Sequence, residues 1–195
     1  MRQRNILLIA FLILIAGMAA AFLFLDFRAA QSNTEAQFQV STSSSGEPVL
    51  ENPPLQLYVE GPSGLTEAFV SELESRMGQF FENITLTEPS SPGTDRPVLV
   101  IDINTVRNLW TPVYATSVLA AKVAFASDGR VSWTDLGEVD TVFQTSGAVR
   151  ISGEFTVSDV TRGIISRKAY QRYLGEQTAI RVSEALYSAL QDMLR

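Results

Sequence analysis

The 195-residue chain contains no cysteine and no histidine. Without cysteine it forms no disulfides, offers no thiol nucleophile and cannot carry a lipid on a cysteine. Without histidine it lacks the base of Ser-His-Asp triads, and the two absences together remove the ligands of ordinary zinc sites. Sites for hard cations built from oxygen ligands remain open.

The charge balance and the missing motifs exclude further classes of function. The formal net charge of -6 argues against a nucleic-acid partner. No dinucleotide-binding, phosphate-loop, nucleophile-elbow or EF-hand motif is present, and no cofactor is expected. An enzyme would need several carboxylates to converge in one cleft. The candidates for that alternative are Asp102, Asp128, Asp135, Glu138 and Asp140. A protein that is not an enzyme is the main expectation.

A long apolar run at residues 6–25 carries no charged side chain. Twenty helical residues span about 30 Å, which is the thickness of a bilayer's hydrocarbon core. Arg2 and Arg4 precede the run, whereas Asp26 and Arg28 nearly cancel after it. The positive-inside rule therefore predicts a single-pass cell-membrane anchor, with residues 1–5 in the cytoplasm and the body periplasmic or extracellular.

A cleaved signal peptide is the alternative to this anchor. Residues 19–21 are three alanines, which resemble a cleavage site, but residues 22–25 prolong the apolar run beyond them. Cleavable apolar regions are usually about 7–15 residues long, so the length favours a retained helix.

The segment at residues 26–54 is predicted to be a flexible tether. It is rich in Ser, Thr, Gln and Asn and ends in a Pro-Pro pair, so it offers too little apolar surface to offset chain entropy. Residues 37–41 alternate between polar and apolar, and a weak edge strand there is the alternative.

Residues 55–195 are predicted to form one α+β domain. Apolar periodicity and turn signals give its elements in order. A strand at 55–59 is followed by a helix at about 64–81, a short strand at 84–86, a buried strand at 98–103 and a long strand at 113–125. A turn at 127–130, strands at 131–134 and 140–152, and helical structure at 158–195 complete the domain, with Gly163 and Gly175 as boundaries or weak points within the helical part. Two amphipathic helices need a common apolar partner. The expected architecture is a two-layer sandwich, with a mostly antiparallel sheet and both helices on one face.

Two groups of side chains are candidates for contacts. The aromatic residues Trp110, Tyr114 and Trp133 fall near loops or strand ends and form a candidate interface, with core or rim packing as the alternative. A basic cluster is a candidate for contact with anionic lipid headgroups, with a solvated helix surface as the alternative. Its members are Arg162, Arg167, Lys168 and Arg172.

From residue 55 onward, the order of segments resembles a known class of proteins. The segments are LQLYVEG before SGLTEAFVSELESRM, then VLVIDI, TPVYATSVLAAKVAF, the DGRV turn and AIRVSEALYSALQDML. This order resembles small envelope lipoproteins of the lipopolysaccharide-assembly type, and also the auxiliary lipoproteins of ABC-type lipid transport systems. The resemblance implies a strand, a helix, an antiparallel meander and a C-terminal helix that act through surfaces. Those families carry a lipobox cysteine, which this chain lacks, so an uncleaved helix would replace the lipid as tether.

These observations predict a non-catalytic, membrane-tethered domain of the cell envelope. Its partner would be an envelope protein or a lipid, in a role accessory to envelope assembly or lipid transport. A self-associating structural or regulatory module, held together through the anchor or the open face of the sheet, is the alternative. The sequence leaves the oligomeric state open.

Overall fold

A computed structural model describes residues 2–43, 53–86, 96–129 and 149–193 and has the predicted α+β class. All six of its strands belong to one sheet, in the order β1-β6-β5-β4-β2-β3. The elements in chain order are α1 (Arg2–Phe24), β1 (Arg28–Ser43), β2 (Leu55–Glu60), α2 (Ser63–Met77), β3 (Ile84–Leu86), β4 (Val98–Thr111), β5 (Tyr114–Ala126), β6 (Arg150–Ile165) and α3 (Arg167–Met193).

The helix α1 stands apart from the core. Its stretch Ile6–Phe24 is apolar and none of it is buried, and it is the one helix in the described parts of the chain that is long and apolar enough to cross a membrane. Length and composition of this kind suit a membrane anchor and a signal sequence alike.

The sheet is mixed in direction. The pairs β1–β6, β6–β5 and β5–β4 are antiparallel, whereas β2 runs parallel to both β4 and β3. The parallel part follows from the chain path, because β2 and β3 are joined through α2, and parallel neighbours require such a crossover.

The core contains residues from both helices and from the sheet. The helix α2 contributes Leu65, Phe69, Leu73 and Met77, and α3 packs against α2. At their crossing, a Cβ on Gly175 would lie 2.4 Å from the carbonyl oxygen of Leu65. This glycine therefore permits close helix packing inside α3, and the predicted helix boundary there is wrong.

The predicted flexible tether is wrong over the range of β1. Sixteen consecutive residues, Arg28–Ser43, pair with β6 without a break in register. The side chains of Ala30, Ala36 and Val40 also pack against the core. The polar composition of this segment does not predict a strand. The residues of β6 that pair with it lie more than a hundred residues away in the chain, so the pairing is not visible in the local sequence.

The predicted start of the C-terminal helical region is also wrong. The strand β6 continues to Ile165, and α3 begins at Arg167. Alternate residues of β6 are buried, including Phe155, Val157 and Thr161, which is the period of a strand. Most of the strand structure predicted at 131–152 lies outside the described residues.

Candidate membrane-facing interface

The segment after α1 is bonded directly to the start of α3. The backbone N–H of Phe27 donates to the Ser166 hydroxyl over 3.1 Å, and the N–H of Ser166 donates to the Phe27 carbonyl over 3.0 Å. An ion pair of 2.5 Å joins Arg172 to Asp26 beside them. These contacts leave no free tether between α1 and the folded body.

Four parts of the chain meet where α1 joins the body: the start of β1, the β4–β5 turn, the end of β6 and the start of α3. The turn is tied to β6 because Ile165 and Gly163 donate backbone hydrogen bonds, each of 3.0 Å, to the carbonyls of Pro112 and Val113. We call this region, residues 26–28, 109–114 and 162–168, the α1 end.

Large apolar side chains are exposed at the α1 end. Val113 at the turn is 62% exposed, Leu109 is 51% exposed and Ile164 is 49% exposed. Large exposed apolar patches mark interaction or membrane surfaces, so these three side chains make the α1 end a candidate for such a surface.

Three of the four predicted cationic contacts lie exposed at the same end. Arg162 follows the fully buried Thr161, so it projects from the opposite face of β6, directly across from Tyr114. Arg167 and Lys168 are exposed in the first turn of α3. None of the three takes part in an ion pair among the residues that the structure describes. Together they make the α1 end positively charged on its surface.

The fourth predicted contact, Arg172, is already engaged. It pairs with Asp26 and also with Glu176, 3.6 Å away. This side chain therefore matches the alternative interpretation, a surface cation paired with acidic neighbours, more closely than the other three do.

A further cation at this end, Arg28, was not identified from the sequence. Its guanidinium lies 3.8 Å from the ring centroid of Tyr173 and donates a 2.8 Å hydrogen bond to Ser32. In the sequence it only offsets Asp26, and its stacking on α3 depends on β1 being a strand.

The structure places Trp110 and Tyr114 on opposite faces of the sheet. Trp110 pairs across the strands with the fully buried Ala115 and packs against the core, and its buried indole N–H has no hydrogen-bond partner among the residues that the structure describes. Tyr114 is 36% exposed on the other face. Trp133 lies outside the described residues. The described part of the predicted aromatic interface is therefore not one surface, and Tyr114 instead belongs with Arg162 at the α1 end.

A buried carboxylate that the sequence analysis missed lies behind this surface. Asp159 is 1% exposed and accepts hydrogen bonds of 2.8 Å from Thr34 of β1 and Thr161 of β6. The buried Tyr170 hydroxyl of α3 faces it without a well-aligned hydrogen bond, and burial followed by the charge of Asp159 raises the pKa of Tyr170. This cluster joins β1, β6 and α3 internally and is closed to a substrate. Only the identification of β6 as a strand would have revealed it.

The carboxylates proposed for catalysis do not form a cluster in the described ranges. Asp102 in β4 accepts a hydrogen bond from Asn104, whereas Asp128 follows β5 and pairs with Arg150 at 3.3 Å. Asp135, Glu138 and Asp140 lie outside the described residues. Within residues 2–43, 53–86, 96–129 and 149–193, no group of three or more acidic side chains is placed to hold a metal ion.

Comparison with solved structures gives remote likenesses. No model of a known protein family matches the chain, and no curated protein does. Among solved structures, a dodecameric variant of PelC from Paraburkholderia phytofirmans shares 14% identity and a TM-score of 0.36, covering 72% of this chain and 93% of its own. A neuraminyllactose-binding hemagglutinin homolog from Helicobacter pylori shares 8% identity and a TM-score of 0.34, covering 77% and 92%. Likenesses this weak carry no functional argument.

Proposed function

We propose that this protein is a non-catalytic, membrane-anchored domain of the cell envelope that binds a protein or lipid partner while its α1 end rests on the membrane surface. The observation that carries the proposal is the reciprocal bonding of Phe27 with Ser166. It replaces a long tether by a direct junction between the apolar helix and the body.

The junction limits how far the body stands from the bilayer. Phe27 is three residues beyond Phe24, where α1 ends. Three extended residues reach at most about 10 Å, and one headgroup layer is about 5–8 Å thick. With α1 across the membrane, the α1 end would therefore lie within or just outside the headgroup layer.

The side chains at the α1 end suit that location. Val113 and Ile164 would face the boundary between headgroups and acyl chains, where exposed apolar side chains are stabilised. Arg162, Arg167 and Lys168 would lie beside lipid phosphates, where each cation contributes about 1 kcal/mol at an anionic surface. If the body stood away from the membrane, the apolar side chains of Val113 and Ile164 would instead remain exposed to water, which is unfavourable.

The rest of the body is then available for a partner. We infer a two-layer body in which α2 and α3 cover one face of the sheet, which is supported by the core that both helices share with alternate strand residues. The other face carries small side chains in its middle, such as Ala120, Thr156 and Ser158. Small side chains allow a second surface to approach closely, so this face is the proposed site for an envelope protein or lipid.

The membrane contact is tested by placing a fluorescent probe at the turn. The chain has no native cysteine, so Val113→Cys introduces a single labelling site into the full-length protein in nanodiscs. Ser71→Cys on the exposed side of α2 is the matched control. We expect quenchers attached to lipids to reduce the emission of the probe at position 113 several-fold and to leave the probe at position 71 nearly unchanged. Equal, water-like emission from both probes would refute the proposed contact.

The role of charge is tested with the same probe. Replacing both Arg167 and Lys168 by Gln should weaken the quenching at position 113 more in anionic nanodiscs than in zwitterionic ones, because the two lost cations attract only anionic headgroups. Arg76→Gln on α2 is the control and should change neither result. An equal effect of the double variant in both lipids would argue against headgroup binding.

A further inference from the structure

We propose that the open face of the sheet is covered by the same face of a second copy of this chain. A second copy is then the partner of the proposed function, and the relative orientation of the two copies rests on the anchoring proposed there. The face is built from residues of β1, β6, β5 and β4 that point away from the core. They lie in four rows across the strands, which pass through Lys122, Ala120, Val118 and Thr116 of β5.

The face is open along its centre and limited at both ends. Glu154, Thr156 and Val160 of β6 are exposed on it. Beyond the row of Lys122, the side chains that point to this face are buried and form a separate apolar cluster, so a second copy does not contact them. The members of this cluster in β4 and β5 are Val98, Val100, Ala124 and Ala126. At the opposite limit, the row of Tyr114 and Arg162 belongs to the α1 end.

A twofold axis along the strands, between β5 and β6, brings two such faces together. The rotation places β5 of one copy over β6 of the other, and β4 over β1. Each row then lies over the same row of the second copy. A twofold contact uses the same patch on both copies, so the assembly stops at a dimer.

Arg107 and Glu35 are placed symmetrically about this axis. They occupy the two ends of the row of Val118, on β4 and β1, and both are exposed. Within one chain they are three strand spacings apart, about 14 Å, which is too far for an ion pair. In the dimer each Arg107 lies over Glu35 of the other copy, at both edges of the contact.

The row of Lys122 repeats this complementarity beside the axis. Within one chain the ammonium of Lys122 lies 3.9 Å from the carboxylate of Glu154. The axis sets each of them over the opposite charge of the second copy, so that four charges alternate in sign. Charges arranged in this way select the partner and its register more than they add affinity. The charge pattern of this face therefore identifies a second copy of the chain as its occupant.

Small side chains beside the axis allow the two faces to meet. Ala120 lies over Thr156 of the second copy, and Val118 lies over its Ser158. Two sheets that pack face to face with nearly aligned strands lie about 10 Å apart. Across such a gap the long side chains of Arg107 and Glu35 reach each other, whereas the small ones leave the centre unobstructed.

The same axis keeps both anchors on one side. Rotation about an axis parallel to the strands leaves their direction unchanged, so the two α1 ends lie at the same end of the dimer. A twofold axis that ran across the strands would place them at opposite ends, which two anchors in one bilayer do not permit.

The contact is small, so the membrane contributes to it. Four strands and four rows cover about 20 Å by 20 Å, which is less than the surface that a typical stable complex buries. Two copies anchored in one bilayer share a plane and an orientation, which raises their effective concentration. Dimers are therefore expected in the membrane, where the tests are made.

Crosslinking through one cysteine near the axis tests the inference. The chain has no native cysteine, so in a single-cysteine variant a short bis-maleimide links only different copies. Full-length Ala120→Cys and Thr156→Cys in liposomes should both give covalent dimers, because each position lies one strand from its own copy across the gap. Ser71→Cys, exposed on α2, is the control and should stay monomeric. No dimer from either face variant, or equal crosslinking at position 71, would overturn the inference.

The charged edge residues give a test without cysteines. Two versions of the protein with different affinity tags are placed in the same liposomes and isolated through one tag. With Glu35→Arg in both versions, or Arg107→Glu in both, like charges face each other at both edges, and recovery of the second tag should fall at least several-fold. Glu67→Arg on the exposed side of α2 is the matched control and should leave recovery unchanged.

A mixture of the two charge variants distinguishes the twofold contact from a general charge effect. When Glu35→Arg carries one tag and Arg107→Glu carries the other, the axis again sets opposite charges over each other at both edges. Recovery of the second tag should therefore return to that of the unaltered protein. A loss that the mixture does not restore, or no loss in either variant alone, would overturn the proposed dimer.

Flotation of the same preparations with lipid separates the two proposals. Protein that floats but shows neither crosslinking nor recovery of the second tag would overturn the dimer and leave the membrane anchoring intact. Protein that crosslinks through Ala120→Cys without floating would support the contact between the faces and overturn the anchoring.

Discussion

At the scale of single residues, Asp159 explains how polar strands can sit beneath a helix. Its buried carboxylate receives hydroxyl hydrogen bonds from Thr34 and Thr161. Thr34 also contacts the Tyr173 hydroxyl at 2.7 Å. Hydrogen bonds to a charged acceptor are stronger than neutral ones. The network thus compensates the burial of a charge and ties the edge strand β1 to α3.

Tyr170 provides a pH-dependent test of this cluster. Burial and the nearby Asp159 raise its pKa above the ordinary value of 10.0, so the folded state holds the phenolic proton after the unfolded state has lost it. The resulting stability is complete below about pH 10 and falls as the pH rises above it, by at most about 1.4 kcal/mol per pH unit. We expect Tyr170→Phe to remove this part of the slope in unfolding measurements between pH 9 and 11.5.

The control for this prediction is Tyr187→Phe, because Tyr187 is 39% exposed. That variant should keep the slope of the unaltered protein. Near pH 7, Tyr170→Phe should change the free energy of unfolding by less than about 1 kcal/mol, since among the described residues its hydroxyl makes no well-aligned hydrogen bond that the variant would lose. An unaltered slope in Tyr170→Phe would contradict the assigned environment.

At the scale of elements, the sequence predicts those whose signals are local. The strands β2, β4 and β5 and the helix α2 follow from alternation, helical spacing and Gly or Pro boundaries. The strands β1 and β6 were largely missed, because each is recognisable mainly through the other. Residues such as Gln31 and Asn33 read as linker until their partners Arg162 and Val160 are known. In physical terms, pairing over a long sequence separation overrides a weak local preference.

The residues of the α1 end could also be predicted only in part. The cations Arg162, Arg167 and Lys168 are visible as a local excess of charge. The apolar side chains Val113 and Ile164 are not, because exposure depends on the tertiary fold and an apolar residue in a strand usually faces a core.

Hydrogen exchange tests whether β1 is a strand or a tether. In β1, the amides bonded to β6 should exchange at least a hundred-fold more slowly than in an unfolded peptide, because they open only when the edge strand detaches. The central residues of β6, which pair on both sides, serve as the protected reference. Exchange at unfolded-peptide rates throughout residues 29–42 would show that this segment is a flexible tether and not a strand.

At the scale of the whole molecule, the structure differs from the sequence-based prediction mainly in how the body is connected to α1. A flexible tether of about thirty residues would let the body search for partners far from the bilayer, with a mean reach of several tens of ångströms. The bonds between Phe27 and Ser166 instead join the body directly to the end of α1. If α1 crosses the membrane, as proposed, this junction decides which surface of the body faces the lipid.

The central claim is that α1 remains in the membrane and holds the body on the extracytoplasmic side. Full-length protein carrying Ser71→Cys is labelled with a membrane-impermeant maleimide in right-side-out and in inside-out vesicles, and the mass of the labelled chain is determined. The account predicts labelling in right-side-out vesicles only, on a chain that still contains residues 6–24. Labelling in inside-out vesicles only, or a mature chain that begins near Phe22, would contradict it.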